Sequence, residues 1–461
     1  HVSGERTLLR GIHKVPPGST LQWCDGEITR RHYWTIGQTS ESAATARLLD
    51  TPRRAAPVFW DRFVDSVRSQ LMSDVPLGVF LSGGLDSSLI VAAMRASGLE
   101  RIQSFSVGYH EAEASELPWA RLVASRLGTE HHEVLVEGRQ FFDDLGTLTW
   151  HRDLPLTFSA STPLYHVSRL ARESVTVVLT GEGSDELFAG YGRYPRALVN
   201  RRWARRLDRW MPGAMRRATA RVARGGGSGY VGDRIARSFL ARDGSVGASC
   251  LEPFSDWNAD YRQRVLGRDV PTGHPFGDLD ALLPAELLQR NPLEALLRYD
   301  QQTYLEELLM KQDTMSMASS LESRVPFLDH RLVEWAAALP ASAKLDGLIG
   351  KALVREAAKA YLPEEVVSGP KRGFLVPLGT WLRGVGRDAL DHYVGDGVAD
   401  VFAQDVLRAM VREHLAGRDH TARLWRVMAF ECWRRDVLPR FGALADAARR
   451  QSASELPAIS R

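Results

Sequence analysis

The sequence has no apolar run approaching the roughly 18 residues of a membrane-crossing helix, nor does it open with the charged-then-apolar pattern of a secretory leader. Cysteine is scarce. Cys24, Cys250 and Cys432 lie far apart and form no Cys-x-x-Cys pair, which argues against a zinc or redox centre. An odd, scattered set of thiols suits a reducing cytoplasm, and each is expected to act as a small buried hydrophobe. A strong charge of either sign is also missing. Lys and Arg number 59 against 56 Asp and Glu, a formal net charge of +3, which gives no reason to expect nucleic acid or membrane as partner. His1 stands where an initiating Met would be, so a fragment or processed product is expected.

What is present is a chain of 461 residues, 44% hydrophobic and 25% charged. That is an ordinary globular composition, long enough for two domains and a small third. Near the start, "STLQWCDGEITRRHYW" sets two strand-like runs around Asp25-Gly26, a strong hairpin signal. Residues 37–56 are rich in Ser, Thr, Ala and Arg and read as a linker.

From residue 57 the pattern alternates helix and strand. "PVFWDRFVDSVRSQLM" has helical spacing, and "LGVFL" (77–81) is a continuous apolar run of the kind buried on both faces of a parallel sheet. Further strands are expected at 102–108, 131–136 and 175–180, with helices between them; Gly98 and Gly128 serve as helix stops and Ser115 as a helix start. The fold class is therefore α/β with a parallel sheet, whose ligands bind at the carboxyl ends of strands. After residue 281 the chain reads as mostly helical. The Arg-rich stretch 196–225 contains a single acid, Asp208, and is taken as a solvated helix face beside a "RGGGSG" loop (224–229) rather than a nucleic-acid surface.

Two strand-to-helix turns carry chemistry. The first is Ser82-Gly83-Gly84-Leu85-Asp86-Ser87-Ser88. Glycines let backbone N–H groups approach an anion, a helix N-terminus adds partial positive charge, and the serines add donors. It lacks the lysine of the Gly-Lys-Ser/Thr phosphate loop and the spacing of the dinucleotide fingerprint. The second turn, "VTVVLTGEGSDELFAGYGRY" (175–194), carries Glu182, Asp185 and Glu186. Acids there favour the helix dipole. Beside a phosphate cradle they also call for a cation, and hard oxygen ligands with phosphate suit Mg2+.

Two more segments stand out. In "LLMKQDTMSMASSLESRVPFLDHRLVEWAAALP" (308–340), Lys311, Asp313, Glu322, Arg324 and Asp329 interrupt what is otherwise core patterning, and Arg324 reads equally as a buried ion-pair anchor. "GPKRGFLVPLGTWLR" (369–383) puts Lys371 and Arg372 in a glycine-flanked loop, either solvated or able to close over developing negative charge.

Taken in order, "FLSGGLDSS", "SFSVGYHE", "LTGEGSDELFAGY", "MSMASSLESRVPFLDHRLVE" and "PKRGFLVPLGTWL" resemble the synthetase domain of glutamine-dependent asparagine synthetases, over about residues 57–385. The glycine turn resembles the PP-loop of ATP pyrophosphatases. The resemblance implies that aspartate attacks the α-phosphorus of MgATP to give β-aspartyl-AMP and pyrophosphate, and that ammonia then gives asparagine and AMP. It implies an adenosine site at Leu81, Val107 and Gly108, and a pyrophosphate site at Ser82, Gly83, Gly84, Asp86 and Ser87 with Thr180 and Gly181. It places Mg2+ on Asp86 and Asp185, makes Glu182 the acid that forms the acyl-adenylate and Lys371 a phosphate-stabilising cation, and adds Arg324 and Tyr191, the latter standing where related β-lactam synthetases carry a catalytic Tyr.

The same resemblance divides the chain into a glutaminase-domain remnant (1–36), a linker (37–56), the synthetase domain (57–395) and a helical extension with a frayed tail (396–461). Its partners are small molecules, with no nucleic acid or membrane, and a homodimer is admitted. Two departures matter. The N-terminal Cys that hydrolyses glutamine is absent, and Cys24 cannot replace it, so free ammonia is the expected nitrogen source. In addition, "LTFSASTP" (156–163) has Ser159 where bacterial members carry an Arg tied to aspartate recognition. A cyclase that closes a β-lactam or peptide ring by the same adenylation is the rival reading; a nucleotide-binding fragment without turnover is a second.

Overall fold

The computed structural model of the protein describes residues 4–37, 48–211, 259–266, 282–369, 375–395, 397–399 and 401–443, with a few isolated positions between 212 and 258. The "RGGGSG" loop, Cys250, Lys371, Arg372 and the 444–461 tail lie outside these residues.

The chain begins with a hairpin, β1 (Ser19–Cys24) against β2 (Glu27–His32). Asp25 and Gly26 have φ of 50° and 85°, the pair of positive angles that a two-residue turn between right-twisted strands requires. The ribbon exposes Trp23 and Ile28, which pair across it. It is held to the rest of the protein by an ion pair between Lys14 and Glu306, and by Trp34 Nε1 donating to Glu334 Oε1 at 3.0 Å.

Helix α1 (Pro52–Gln70) starts five residues ahead of the expected boundary at 57. Pro52 takes the first turn, where its missing N–H is not needed, and Ala55 and Ala56 are already buried. Then follow β3 (Leu77–Phe80), α2 (Leu85–Ala96), β4 (Gln103–Gly108), α3 (Leu117–Leu127), β5 (Glu130–Leu135), α4 (Ser161–Arg172), β6 (Val177–Leu179) and α5 (Ser184–Phe188). Gly128 ends α3 at φ 66°, and Gly98 follows α2 at φ 96°, as expected of helix stops. Ser115 is not the cap of α3; Glu116 holds that position.

Beyond a mostly undescribed stretch come α6 (Pro292–Gln302), α7 (Tyr304–Met317), the short β7 (Glu322–Arg324) and α8 (Ala352–Ala358). Helices at Gln404–Leu415 and Thr421–Cys432 close the described chain. β7 escaped the sequence pattern because three residues are too few to show a period.

The five strands β5-β4-β3-β6-β7 form one parallel sheet. From β3 the chain moves outward to β4 and β5, then returns to the other side of β3 for β6 and β7. Strand order therefore reverses between β3 and β6, and their following loops part there to open a crevice.

Each face of the sheet has its own core. On one, Val79, Leu81 and Leu179 meet α1, α2 and α8 around Phe59, Phe63, Phe188, Phe327 and Trp335. On the other, Phe105, Val107 and Val178 meet α4 and the last helices around Phe141, Trp381 and Trp425. Phe59 is the hub of the first core: its ring lies 5.4 Å from Phe63, 5.2 Å from Phe188 and 6.4 Å from Trp335. Phe188 ends α5, so this core supports the second chemical loop. Phe59→Ala is expected to destabilise the protein by about 3–5 kcal/mol, read as a lowered urea midpoint with an unchanged slope.

Candidate active site

A cavity of about 430 Å³ opens at the switch between β3 and β6. Of the residues singled out in the sequence, Leu81, Ser82, Gly83, Gly84, Asp86, Ser87, Val107, Thr180, Gly181, Glu182, Asp185 and Tyr191 all line it. Two do not join them, and a third is not described. Gly108 ends β4 and packs against Leu117. Lys371 lies outside the described residues. Arg324, expected at the site, sits instead on β7: its Nη1 donates to the backbone oxygens of Gln70 and Met72 (2.7 and 2.8 Å), and its Nε to Glu322 (2.7 Å). Its observed place is a clamp between the outer strand and the end of α1, held by backbone oxygens and an exposed acid rather than by the buried ion pair of the other reading.

The first loop is held open by its own hydroxyls. Ser87 Oγ accepts from the Ser82 N–H at 3.2 Å and lies 3.1 Å from Ser82 Oγ, which accepts from the Gly84 N–H at 3.2 Å. Gly83 has φ 72°, and a Cβ there would sit 2.3 Å from the Trp119 carbonyl carbon, so no other residue fits. Asp86 follows in the first turn of α2, and Asp185 and Glu186 occupy the first turn of α5. Thr180 Oγ1 is buried, faces the cavity and has no partner among the described residues.

The two loops are joined by a residue that sequence reasoning missed. Lys351 Nζ lies 2.5 Å from Asp86 Oδ2 and 2.7 Å from Asp185 Oδ1, and Ser184 Oγ donates to the other Asp86 oxygen at 2.8 Å. Burial by itself would lower the lysine pKa; Asp185 and Asp86 outweigh it and hold the ammonium well above its ordinary value. Lys351 sits just ahead of α8 with φ 56°, a strained position for a side-chain-bearing residue. Its route to the acids runs over Gly190, where a Cβ would fall 2.3 Å from Lys351 Cε and 1.8 Å from Asp185 Oδ1. The available signal was "GLIGKALVREAA", a Gly-Lys pair ahead of a helix, which reads as a helix start.

Glu182 Oε1 accepts from Lys311 Nζ at 3.2 Å. The lysine lies on α7, which lines the cavity with Tyr304, Leu308, Lys311 and Gln312. Opposite, Tyr191 Oη donates to Glu186 Oε1 at 2.6 Å. Glu186 is buried beneath the site; desolvation and the neighbouring Asp185 push its carboxyl up to about 8, against the pull of the tyrosine hydrogen bond. Arg193 lies over Tyr191 and Tyr304 at 4.7 and 4.8 Å and pairs with Asp300 at 2.8 Å.

The sign of the Glu186 shift sets a pH dependence of stability. The folded state keeps a proton that the unfolded chain releases near the ordinary glutamate value of 4.5. Its contribution is therefore complete below that value and is lost as pH rises toward about 8. Thermal unfolding in chelator-containing buffer is expected to show a Tm that declines over this range. Glu186→Gln, which keeps an acceptor for Tyr191, is expected to flatten the decline.

Comparison with known proteins agrees with this arrangement. A family model described as "Asparagine synthase" matches residues 59–435. Bacillus subtilis asparagine synthetase [glutamine-hydrolyzing] 1 is 30% identical over 435 residues, 93% of this chain and 66% of the relative. A putative asparagine synthetase of Mycobacterium bovis is 34% identical over 385 residues, covering 80% and 56%. Amidase chyE of Penicillium rubens is 28% identical over 419 residues, covering 82% and 60%. The chain thus spans two thirds or less of the length of these curated relatives. With the family model running through both glycine-containing strand-to-helix loops and on to the last described helices, the chain belongs to the asparagine synthase family.

Proposed function

We propose that the chain is an ATP-dependent, AMP-forming amide ligase. The carrying observation is the convergence, at one sheet edge, of a glycine–serine loop at a helix N-terminus with Asp86, Glu182 and Asp185. ATP lies along that edge with its adenosine against Leu81, Val107 and the end of β4. Its two outer phosphates rest on Ser82, Gly83, Gly84 and Ser87, with Thr180 and Gly181 opposite. The backbone donors grip the leaving pyrophosphate and leave the α-phosphorus accessible to a carboxylate near Glu182.

The reaction has two steps. A carboxylate oxygen bonds to the α-phosphorus as the α–β P–O bond breaks and pyrophosphate departs. A nitrogen nucleophile then bonds to the acyl carbon, AMP leaves and the nitrogen gives up a proton. In the form implied by the resemblance, the carboxylate is aspartate, the nucleophile is ammonia and the product is asparagine. Cys24 lies within β1, without an adjacent free amine, and is given no part in glutamine hydrolysis. Residues 1–36 are read as the end of a glutaminase domain.

The residues fit Mg2+. The cavity lining holds Asp86, Glu116, Glu182, Asp185 and Glu365 against Lys311, Lys351 and Arg355, so a polyphosphate entering it needs a counter-charge. Among the described residues no cluster of three acidic, His or Cys side chains could hold a metal unaided. Mg2+ typically takes one or two carboxylates and completes its shell with phosphates and water. Asp86 and Asp185 would hold it, and it would supply neutralisation of the departing pyrophosphate. Lys351 keeps the two carboxylates together, and Lys371 with Arg372 is the proposed cation pair closing over the phosphates.

Phosphorus NMR of ATP, Mg2+, a carboxylate acceptor and an amine is expected to show AMP and pyrophosphate; ADP and phosphate in their place would overturn the mechanism. Asp86→Asn is expected to slow AMP release on the order of a hundredfold or more. Near-wild-type release would leave Asp86 as no more than a helix-dipole acid.

A further inference from the structure

A second cavity, of about 300 Å³, lies where the helices Ala259–Leu266 and Gln404–Leu415 meet the start of Thr421–Cys432. It shares no lining residue with the larger cavity at the sheet edge. Its size is at the lower end of the range of small-molecule sites, roughly 300–1,000 Å³. Val406, Ala409 and Met410 give it an aliphatic wall, and the Tyr261 ring an aromatic one.

The charges that line this cavity sort into matched and unmatched. Glu413 accepts from Arg418 Nη1 at 2.9 Å and lies 2.7 Å from His420 Nε2. Arg423 lies over the Tyr261 ring at 3.9 Å, with Nη1 3.4 Å from His420 Nδ1. Two groups of opposite sign are left. Arg264 stands 5.8 Å from the Tyr261 ring centre and has no carboxylate partner among the described residues. Asp405, in the first turn of Gln404–Leu415, has no hydrogen bond or ion pair among the described residues. The two come from different helices, line the same space and are not paired with each other.

This charge pattern selects among ligands. A metal ion would meet the guanidiniums of Arg264, Arg418 and Arg423, and a polyphosphate would meet Asp405 and Glu413; like charges at such range repel. A neutral apolar molecule would desolvate both unmatched charges and complete neither. A small molecule that carries one anion and one cation satisfies both. A carboxylate accepts from the guanidinium of Arg264, in the fork geometry that favours this pairing, and an ammonium donates to Asp405.

We propose that this cavity is a binding site for a free α-amino acid with an aliphatic side chain. Its α-carboxylate pairs with Arg264, its α-ammonium with Asp405, and its hydrocarbon lies against Val406, Ala409 and Met410. The site is separate from the one assigned to ATP and does not depend on the ligase mechanism. An aliphatic side chain has no carboxylate to adenylate, so the ligand is not the acceptor of that reaction.

The test is calorimetric titration of the whole chain with L-leucine, L-methionine and L-valine. At least one is expected to bind with one-to-one stoichiometry and a Kd below about 1 mM, and with the same Kd when ATP and Mg2+ are present. The methyl ester of that amino acid, which lacks the anion, and its N-acetyl derivative, which lacks the cation, are each expected to bind about tenfold or more weakly, as is usual for a lost charge-assisted hydrogen bond. Arg264→Gln and Asp405→Asn are expected to weaken the amino acid by a similar factor while leaving the thermal midpoint of the free protein unchanged, since both side chains are exposed. The derivatives test the charges on the wild-type protein and so do not depend on how the variants fold. No binding of any of the three at about 10 mM, equal binding of the ester or the N-acetyl derivative, unchanged binding by both variants, or displacement by ATP overturns the proposal, and none of these results touches the ligase mechanism.

Discussion

One ammonium group holds the chemical end of this protein together. Lys351 reaches from the start of α8 into the gap between the loops that follow β3 and β6, and it lies within ion-pair distance of an acid from each. Without it, Asp86 and Asp185 would stand as uncompensated like charges in a partly buried site. With it, two loops separated by about a hundred residues share a single counter-charge. Burying a lysine is costly unless it is paired, and here the pairing also fixes geometry. The local backbone bends to allow it: Lys351 and Ala189 both take left-handed angles, and the Lys351 N–H donates to the Phe188 oxygen at 2.8 Å. Strain of this kind persists where the surroundings over-determine it, and the Phe59–Phe188 contact of the adjoining core supplies such a surrounding.

The charge distribution then divides the cavity. Toward the glycine loop the lining is acidic and rich in hydroxyls. Toward α7 it is aromatic, with its lysine spent on Glu182. Glu182, paired with Lys311, stands at the border between the two regimes.

The parts of this arrangement that were legible in the sequence are those whose chemistry is local. The two strand–glycine–helix turns announce themselves because backbone conformation, apolar run and carboxylates all fall within ten residues. The parallel sheet was readable for the same reason, since each βαβ unit repeats its own pattern. Lys351 was not readable, because its partner Asp86 is 265 residues away and its own neighbourhood satisfies an ordinary helix start. Arg324 misled in the opposite direction: it lies in a motif rich in charged residues, yet its guanidinium is used on backbone oxygens at the sheet margin.

The small ribbon at the start of the chain has a mechanical meaning. Lys14, five residues ahead of it, pairs with Glu306, two residues past Tyr304 on α7, the helix that goes on to present Lys311 and Gln312. A helix is a stiff rod, rising 1.5 Å per residue, so a tug at its first turn is felt along its length. The segment that leads into the hairpin is therefore tied to the first turn of the same helix whose later turns line the cavity.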